Sequence, residues 1–369
     1  MSDLARQDNI VTRIQESKAG RIVFAIAVAV GLFFVFRWSF LFMRDSDASK
    51  FIIGVVALVV GIGGIWALYA SLVNLVEVTP QRVRDALRPW VFVGPAAIIL
   101  ATYIVFPAIR TIWISFMNRT SDQFVGLRNY AYVFTDADML IILRNTLLWV
   151  ILVPAFSVTL GLIIAVMTDR LSSFWEKTTK ALIFLPMAIS FVGASVIWRF
   201  VYAYRPPGQE QIGLLNAIVT GLGTDPVAWI IQRPWNNFFL IFIMIWLQTG
   251  FAMVILSAAV KGVPKDLLDA ARIDGCNEIR TFFSVIIPYV SGTILTVSTT
   301  ILFLVLKIFD IVWVMTSGDF DTGIVASRMY EEAFVFRNFG RGSALAVFLF
   351  LVVVPVMIRN IRNMREQRR

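Results

Sequence analysis

Long apolar runs separated by short polar segments dominate the chain. Runs long enough to cross roughly 30 Å of hydrocarbon lie near residues 22–43, 51–76, 90–109, 146–167, 181–203, 238–260, 288–316 and 344–358, the last being short unless Arg341 to Leu345 contribute. The pattern predicts an all-α integral membrane protein of about eight transmembrane helices, whose work is done inside the bilayer.

Composition agrees. Of 369 residues, 58% are hydrophobic and 15% charged, with a mean hydropathy of +0.78, whereas a soluble domain carries about 25% charged residues. No polar stretch is long enough to build a soluble domain. The net charge of +9 sits in short clusters beside apolar runs, which points to membrane orientation and not to nucleic acid. Lys and Arg are more frequent at the N-terminus, in 77–89, 168–180 and 261–287, and in the tail than in the opposite segments. Both termini are therefore expected to be cytoplasmic, the tail residues Arg359, Arg362, Arg365, Arg368 and Arg369 giving the clearest signal. The segment Met1 to Gly20 mixes acids and bases and does not read as a cleaved signal peptide. The lone Cys276 excludes an intramolecular disulfide. The absence of histidine excludes zinc sites of His/Cys type and histidine acid–base catalysis.

Within the runs, Gly54, Gly61 and Gly64 fall near one face and suit close helix packing. Trp38, Trp66, Trp90, Trp113, Trp149, Trp198 and Trp246 mostly lie towards run ends, where indole rings anchor at the interface. Pro154, Pro186 and Pro355 are expected to shape helix packing.

The segment Lys261 to Tyr289, KGVPKDLLDAARIDGCNEIRTFFSVIIPY, is too polar to span yet is patterned. Pro264 suits a first helical turn, Leu267, Leu268 and Ala271 share a face, and Gly275 can close a helix. From Asn277 the apolar pattern resumes through Ile279, Phe282, Phe283 and Ile286 to Pro288. Helix, break, helix is the expectation. Small residues at Ala270, Ala271 and Gly275, flanked by Lys265, Asp266, Asp269, Arg272 and Asp274, suit docking into a partner's groove. An interfacial helix lying on the membrane is the other reading of the same pattern.

Asp269-Ala270-Ala271, three residues, Gly275, nine residues, then Val285-Ile286-Ile287-Pro288 resembles the coupling loop of ABC importer permeases, written E-A-A, three, G, nine, I-x-L-P. Asp for Glu at 269, Val for Ile at 285 and Ile for Leu at 287 are conservative departures. Phe124-Val125-Gly126-Leu127-Arg128-Asn129-Tyr130, Arg144-Asn145-Thr146-Leu147, Leu185 to Ser190 with Trp198, Phe309 to Thr316, Ala333-Phe334 and Asn338-Phe339-Gly340 resemble, in order, segments of the maltose-type sugar permeases. Within that group the chain is most similar to the alpha-glucoside permeases, which have two extra N-terminal helices and no large inserted domain.

The resemblance implies a type I ABC importer permease fold. It divides the chain into a cytoplasmic N-terminus (1–21), two accessory helices (22–89), a six-helix core (90–358) with the coupling loop at 261–288, and a basic cytoplasmic tail (359–369). It also implies a prokaryotic inner-membrane location, a second permease subunit in a heterodimer, two ABC ATPase subunits and an extracytoplasmic sugar-binding protein. The chain lacks a G-x-x-x-x-G-K-[ST] loop, so it is not expected to hydrolyse ATP; no enzymatic activity and no cofactor of its own are expected. ATP and Mg are expected in the partner ATPases, which would contact Lys265, Asp266, Asp269, Ala270, Ala271, Arg272, Asp274 and Gly275.

Sugars call for amides, hydroxyls and aromatic faces. Candidates for the substrate path are Asn145, Ser190, Trp246, Gln248, Thr249, Thr296, Thr299 and Thr300, with the stretches Ile189 to Ser195 and Trp246 to Gly250 favoured as regions. Ser and Thr inside helices also bond their own backbone. Lys307 and Asp310, three apart, form a candidate intramembrane charged pair or simply neutralise each other. The rivals are a secondary transporter, which would show related halves and buried acids, and a receptor or scaffold, which would not need the helix-break-helix.

Overall fold

The computed structural model describes residues 18–77 and 79–366. The charged residues before Lys18, and Arg368 and Arg369, lie outside them. Among the described residues the fold is all-helical, with seven helices long and apolar enough to span and one helix pair, sharply bent, that passes the same test only when taken together. Hydrocarbon offers no partner to a free peptide group, so each apolar run closes its hydrogen bonds within itself as a helix.

Two compact units divide after Ala108. In the first, α1 (Lys18–Asp45) and α2 (Lys50–Glu77) pack together, and α3 (Gln81–Leu100) packs on α2. Of the three spaced glycines of α2, Gly64 meets the Phe36 ring, while Gly54 and Gly61 face open space. Tyr69 of α2 meets Phe92 of α3 edge-on at 5.4 Å. The third apolar helix starts earlier than expected, at Gln81, and reaches Ile114 through a π-helical turn at Ala101–Val105 and α4 (Phe106–Ile114).

The second unit starts at Ile109. After α5 (Arg128–Thr135), Asp136 caps α6 (Ala137–Asp169) by accepting from the Met139 backbone N–H at 3.2 Å. This cap sets the fourth span nine residues before the apolar run alone suggested. α6 packs along α10 (Asn236–Lys261), and α13 (Ile287–Leu306) joins them around Trp149, Met244, Met253 and Ile301. Trp149 is 1% exposed, so it is a core residue and not an interface anchor. Trp198 and Trp246 stack edge-on at 5.6 Å, whereas Trp38, Trp66, Trp90 and Trp113 are exposed as anchors should be.

The run at 181–203 is not a straight span. α7 (Ser173–Phe184) enters a 3-10 turn at Leu185–Ala188, and α8 (Phe191–Val201) leaves at 101°. Pro186 lacks a backbone donor, Ile189 is extended, and Ser190 caps α8 by accepting from the Gly193 N–H at 3.0 Å. The run at 288–316 is likewise divided. Its helix begins at Glu278 and ends at Leu306, and α14 (Asp310–Thr316) is separate. The last span, α16 (Phe339–Glu366), begins early enough that Arg341 to Leu345 belong to it. Short α9 (Leu214–Gly221) and α15 (Val325–Tyr330) lie in the long connections.

Candidate functional site

The patterned polar segment forms α11 (Lys265–Ile273), which follows the extended Pro264. Gly275 takes φ +75°, its N–H donates to the Arg272 carbonyl, and the Cys276 N–H donates to the Ala271 carbonyl, both at 3.0 Å. This is the Schellman closure that a glycine permits. Asn277 then caps α12 (Glu278–Thr281), accepting from the Arg280 N–H at 2.8 Å.

α11 has two faces. Ala271 is buried, and Leu268 is half-buried and packs against the core cluster that includes Val260 and Val263. On the opposite side Asp266, Asp269, Ala270 and Ile273 are exposed, Ile273 at 86%. Arg272 pairs with Asp269 at 2.9 Å. Of the residues expected to meet a partner, Lys265, Asp266, Asp269, Ala270, Arg272, Asp274 and Gly275 are exposed, and Ala271 faces inward. Ile273 was missed because its apolar side chain reads as core in a linear pattern.

The two favoured stretches meet. A cavity of about 420 Å³ is lined by Met187, Ile189 and Ser190 at the bend after α7, by Leu247 and Gln248 in the middle of α10, and by Leu304 and Asp310. Gln248 is 2% exposed and its Oε1 has no hydrogen-bond partner among the described residues. The half-buried carboxylate of Asp310 has no ion-pair partner among the described residues. Ser190 Oγ already accepts from Gly193. The cavity thus places the amide side chain of Gln248 and the carboxylate of Asp310 on an otherwise largely apolar lining. Such a site suits a neutral ligand rich in hydroxyl donors. Nearby, Gly250 lets α7 approach α10: a Cβ there would lie 2.5 Å from the Ile183 carbonyl oxygen.

Other candidates are committed elsewhere. Thr249, Thr296, Thr299 and Thr300 donate to carbonyls three or four residues back in their own helices. Trp246 packs on Trp198 and does not line the cavity. Asn145, fully buried, donates to the Asp321 and Gly323 carbonyls at 2.7 and 3.0 Å. Asn236 and Asn237 donate to Phe320 and Asp321 at 2.8 and 3.1 Å, so three amides hold the loop 317–323. Lys307 and Asp310 are not paired. The helix break at 307–309 turns Lys307 towards a separate apolar cavity with Phe309 and Tyr330.

A charged cluster went unseen in the sequence. Glu176 on α7 accepts from Lys180 of its own helix and from Lys261, the last residue of α10, at 2.5 Å. Lys180 also donates to Ser257. The only sequence signal was the i,i+4 spacing of Glu176 and Lys180.

Residues 157–368 match the family described as "Binding-protein-dependent transport system inner membrane component". The chain is 58% identical over 276 residues to the osmoprotective compounds uptake permease protein GgtC of Synechocystis sp., covering 75% of this chain and 98% of that one. It is 50% identical over 285 residues to the alpha-glucoside transport system permease protein AglF of Rhizobium meliloti, covering 76% and 84%. Among solved structures, a bacterial ABC transporter involved in import of the acidic polysaccharide alginate shares the fold, with a TM-score of 0.66 at 19% identity over 77% of this chain and 99% of that one.

Proposed function

Because this chain belongs to the family of binding-protein-dependent transport system inner membrane components, a multi-span permease family and not a catalytic one, we propose that it conducts an alpha-glucoside or related oligosaccharide in an ATP-driven importer. The observation that carries the reading is α11. Its exposed Asp266, Asp269, Ala270 and Ile273 present a small, charged and apolar face, while Ala271 is buried and Leu268 packs the helix against the core. A helix so held can receive a push and pass it inward.

In this reading α11 and both termini face the cytoplasm, and α11 seats in an ABC ATPase that binds ATP and Mg. A second permease subunit completes the path, and a sugar-binding protein delivers ligand on the opposite side. The cavity between the α7–α8 bend and Gln248 is this subunit's part of the path. Its unpaired acceptors favour neutral hydroxylated ligands, in keeping with the substrate named for the Rhizobium relative. Uptake of labelled alpha-glucosides by the reconstituted complex, with its binding protein and ATP, tests the reading. Concentrative uptake that stops when ATP is withheld supports it. Uptake driven by an ion gradient without any ATPase overturns it in favour of a secondary transporter.

A further inference from the structure

The polar segment around α11 is fastened to the α6–α7 turn on both sides. Before it, Lys261 Nζ lies 2.5 Å from Glu176 and 3.9 Å from Asp169. After it, Glu278 pairs with Arg170 at 2.5 Å. The two fastenings are unequal. Both side chains of the Arg170–Glu278 pair are well exposed, and such pairs are screened and contribute little. The Glu176 and Lys180 side chains are only 15% and 19% exposed, and Glu176 serves two lysines from two helices. Removing this carboxylate leaves the Lys180 and Lys261 ammonium groups together with only the more distant Asp169 to offset them.

This cluster joins three helices at one end: α6 through Asp169, α7 through Glu176 and Lys180, and α10 through Ser257 and Lys261. α7 leads to the bend at Leu185–Ser190 that lines the cavity, and α10 carries Gln248 into the same cavity. Lys261 is also four residues from the start of α11. Displacement of α11 therefore reaches both walls of the cavity through the point where Glu176 sits.

We propose that Glu176 is a positioning residue that makes α7 and α10 move as one lever with α11, so that ATP hydrolysis in the partner is spent on reorienting the cavity. The proposal rests on α11 being the ATPase contact. Without the carboxylate, α11 still docks and cycles, but the bend after α7 no longer follows it. The loss falls on substrate moved per ATP hydrolysed, a ratio that a merely structural ion pair would not move.

The test uses the complete importer in proteoliposomes, measuring substrate uptake and ATP hydrolysis together with the binding protein present. Glu176→Gln is expected to assemble and to keep stimulated hydrolysis within about twofold, while substrate per ATP falls about tenfold, a size typical of coupling between sites. Lys261→Gln, which leaves the Glu176–Lys180 pair intact, is expected to lower the ratio in the same direction and replaces the first variant if that one fails to insert. Glu176→Asp is expected to recover part of the ratio. An unchanged ratio in both neutral variants, whether the two rates stay normal or fall in parallel, overturns the proposal. Ile273→Arg, measured alongside, separates it from the docking reading: if that change leaves hydrolysis and assembly intact, α11 is not the contact and the lever has no input.

Discussion

The buried side-chain amide of Asn145 donates to the backbone carbonyl of Asp321 at 2.7 Å, joining residues 176 positions apart. The same amide reaches Gly323, and Asn237 meets the Asp321 carbonyl from α10. The loop 317–323 is held in this way although Ser317, Phe320 and Asp321 adopt positive φ. Asn145→Ala leaves the buried Gly323 carbonyl without this donor and the Asp321 carbonyl with Asn237 alone, and is expected to destabilise the protein by about 1–3 kcal/mol. Thermal unfolding in detergent should show the loss, and an unchanged melting curve would mean the amide is not holding the loop.

The cavity is lined by Gln248, whose Oε1 has no hydrogen-bond partner among the described residues, and by Asp310, which has no ion-pair partner among them. Gln248→Leu and Asp310→Asn are each expected to raise the substrate concentration for half-maximal uptake about 2- to 10-fold, the equivalent of one hydrogen bond. ATPase assembly should be unaffected. Uptake curves for the two variants that superimpose on the wild type would remove this cavity from the path.

Gly250 is set by approach and not by flexibility. A methyl group there meets the Ile183 carbonyl oxygen at 2.5 Å and Phe184 Cα at 2.8 Å, both backbone atoms. Gly250→Ala is expected to cost about 1–3 kcal/mol by overpacking, read as a lower unfolding temperature, and to reduce uptake by spreading the α7–α10 contact.

Gly275 holds φ +75° at the end of α11. A β-branched residue resists that geometry by roughly 1–2 kcal/mol, while asparagine tolerates it better. Gly275→Val is therefore expected to weaken association with the ATPase about 5- to 30-fold, and Gly275→Asn by less. Titration of purified ATPase against the reconstituted permease measures both, and equal affinities for the two variants would show that the Schellman closure does not shape the contact.

The spans were legible because apolar length alone sets them, and Gly275 and Pro264 marked α11 because their backbone preferences are local. The bend after α7 was not, since residues 181–203 are apolar throughout and the break depends on Pro186 and the Ser190 cap together. Lys307 and Asp310 misled for the same reason: a spacing of three brings side chains together only if the helix continues, and it ends at Leu306. The favoured stretches around Ser190 and Gln248 do share a cavity, while Asn145 and the threonines donate to backbone carbonyls, because hydrogen-bonding capacity is visible in sequence and its use is not. The Glu176 cluster escaped because Asp169, Glu176, Ser257 and Lys261 come from three helices.

The central claim is that the exposed face of α11 seats in an ABC ATPase, and it is tested most directly by co-purification. Ile273→Arg and Ala270→Trp alter that face without touching buried Ala271 or Leu268, which packs the helix against the core. The account expects both variants to insert and fold as the wild type does, to lose the ATPase during purification, and to lose binding-protein-stimulated hydrolysis. Retention of the ATPase in wild-type amounts by both variants would contradict it.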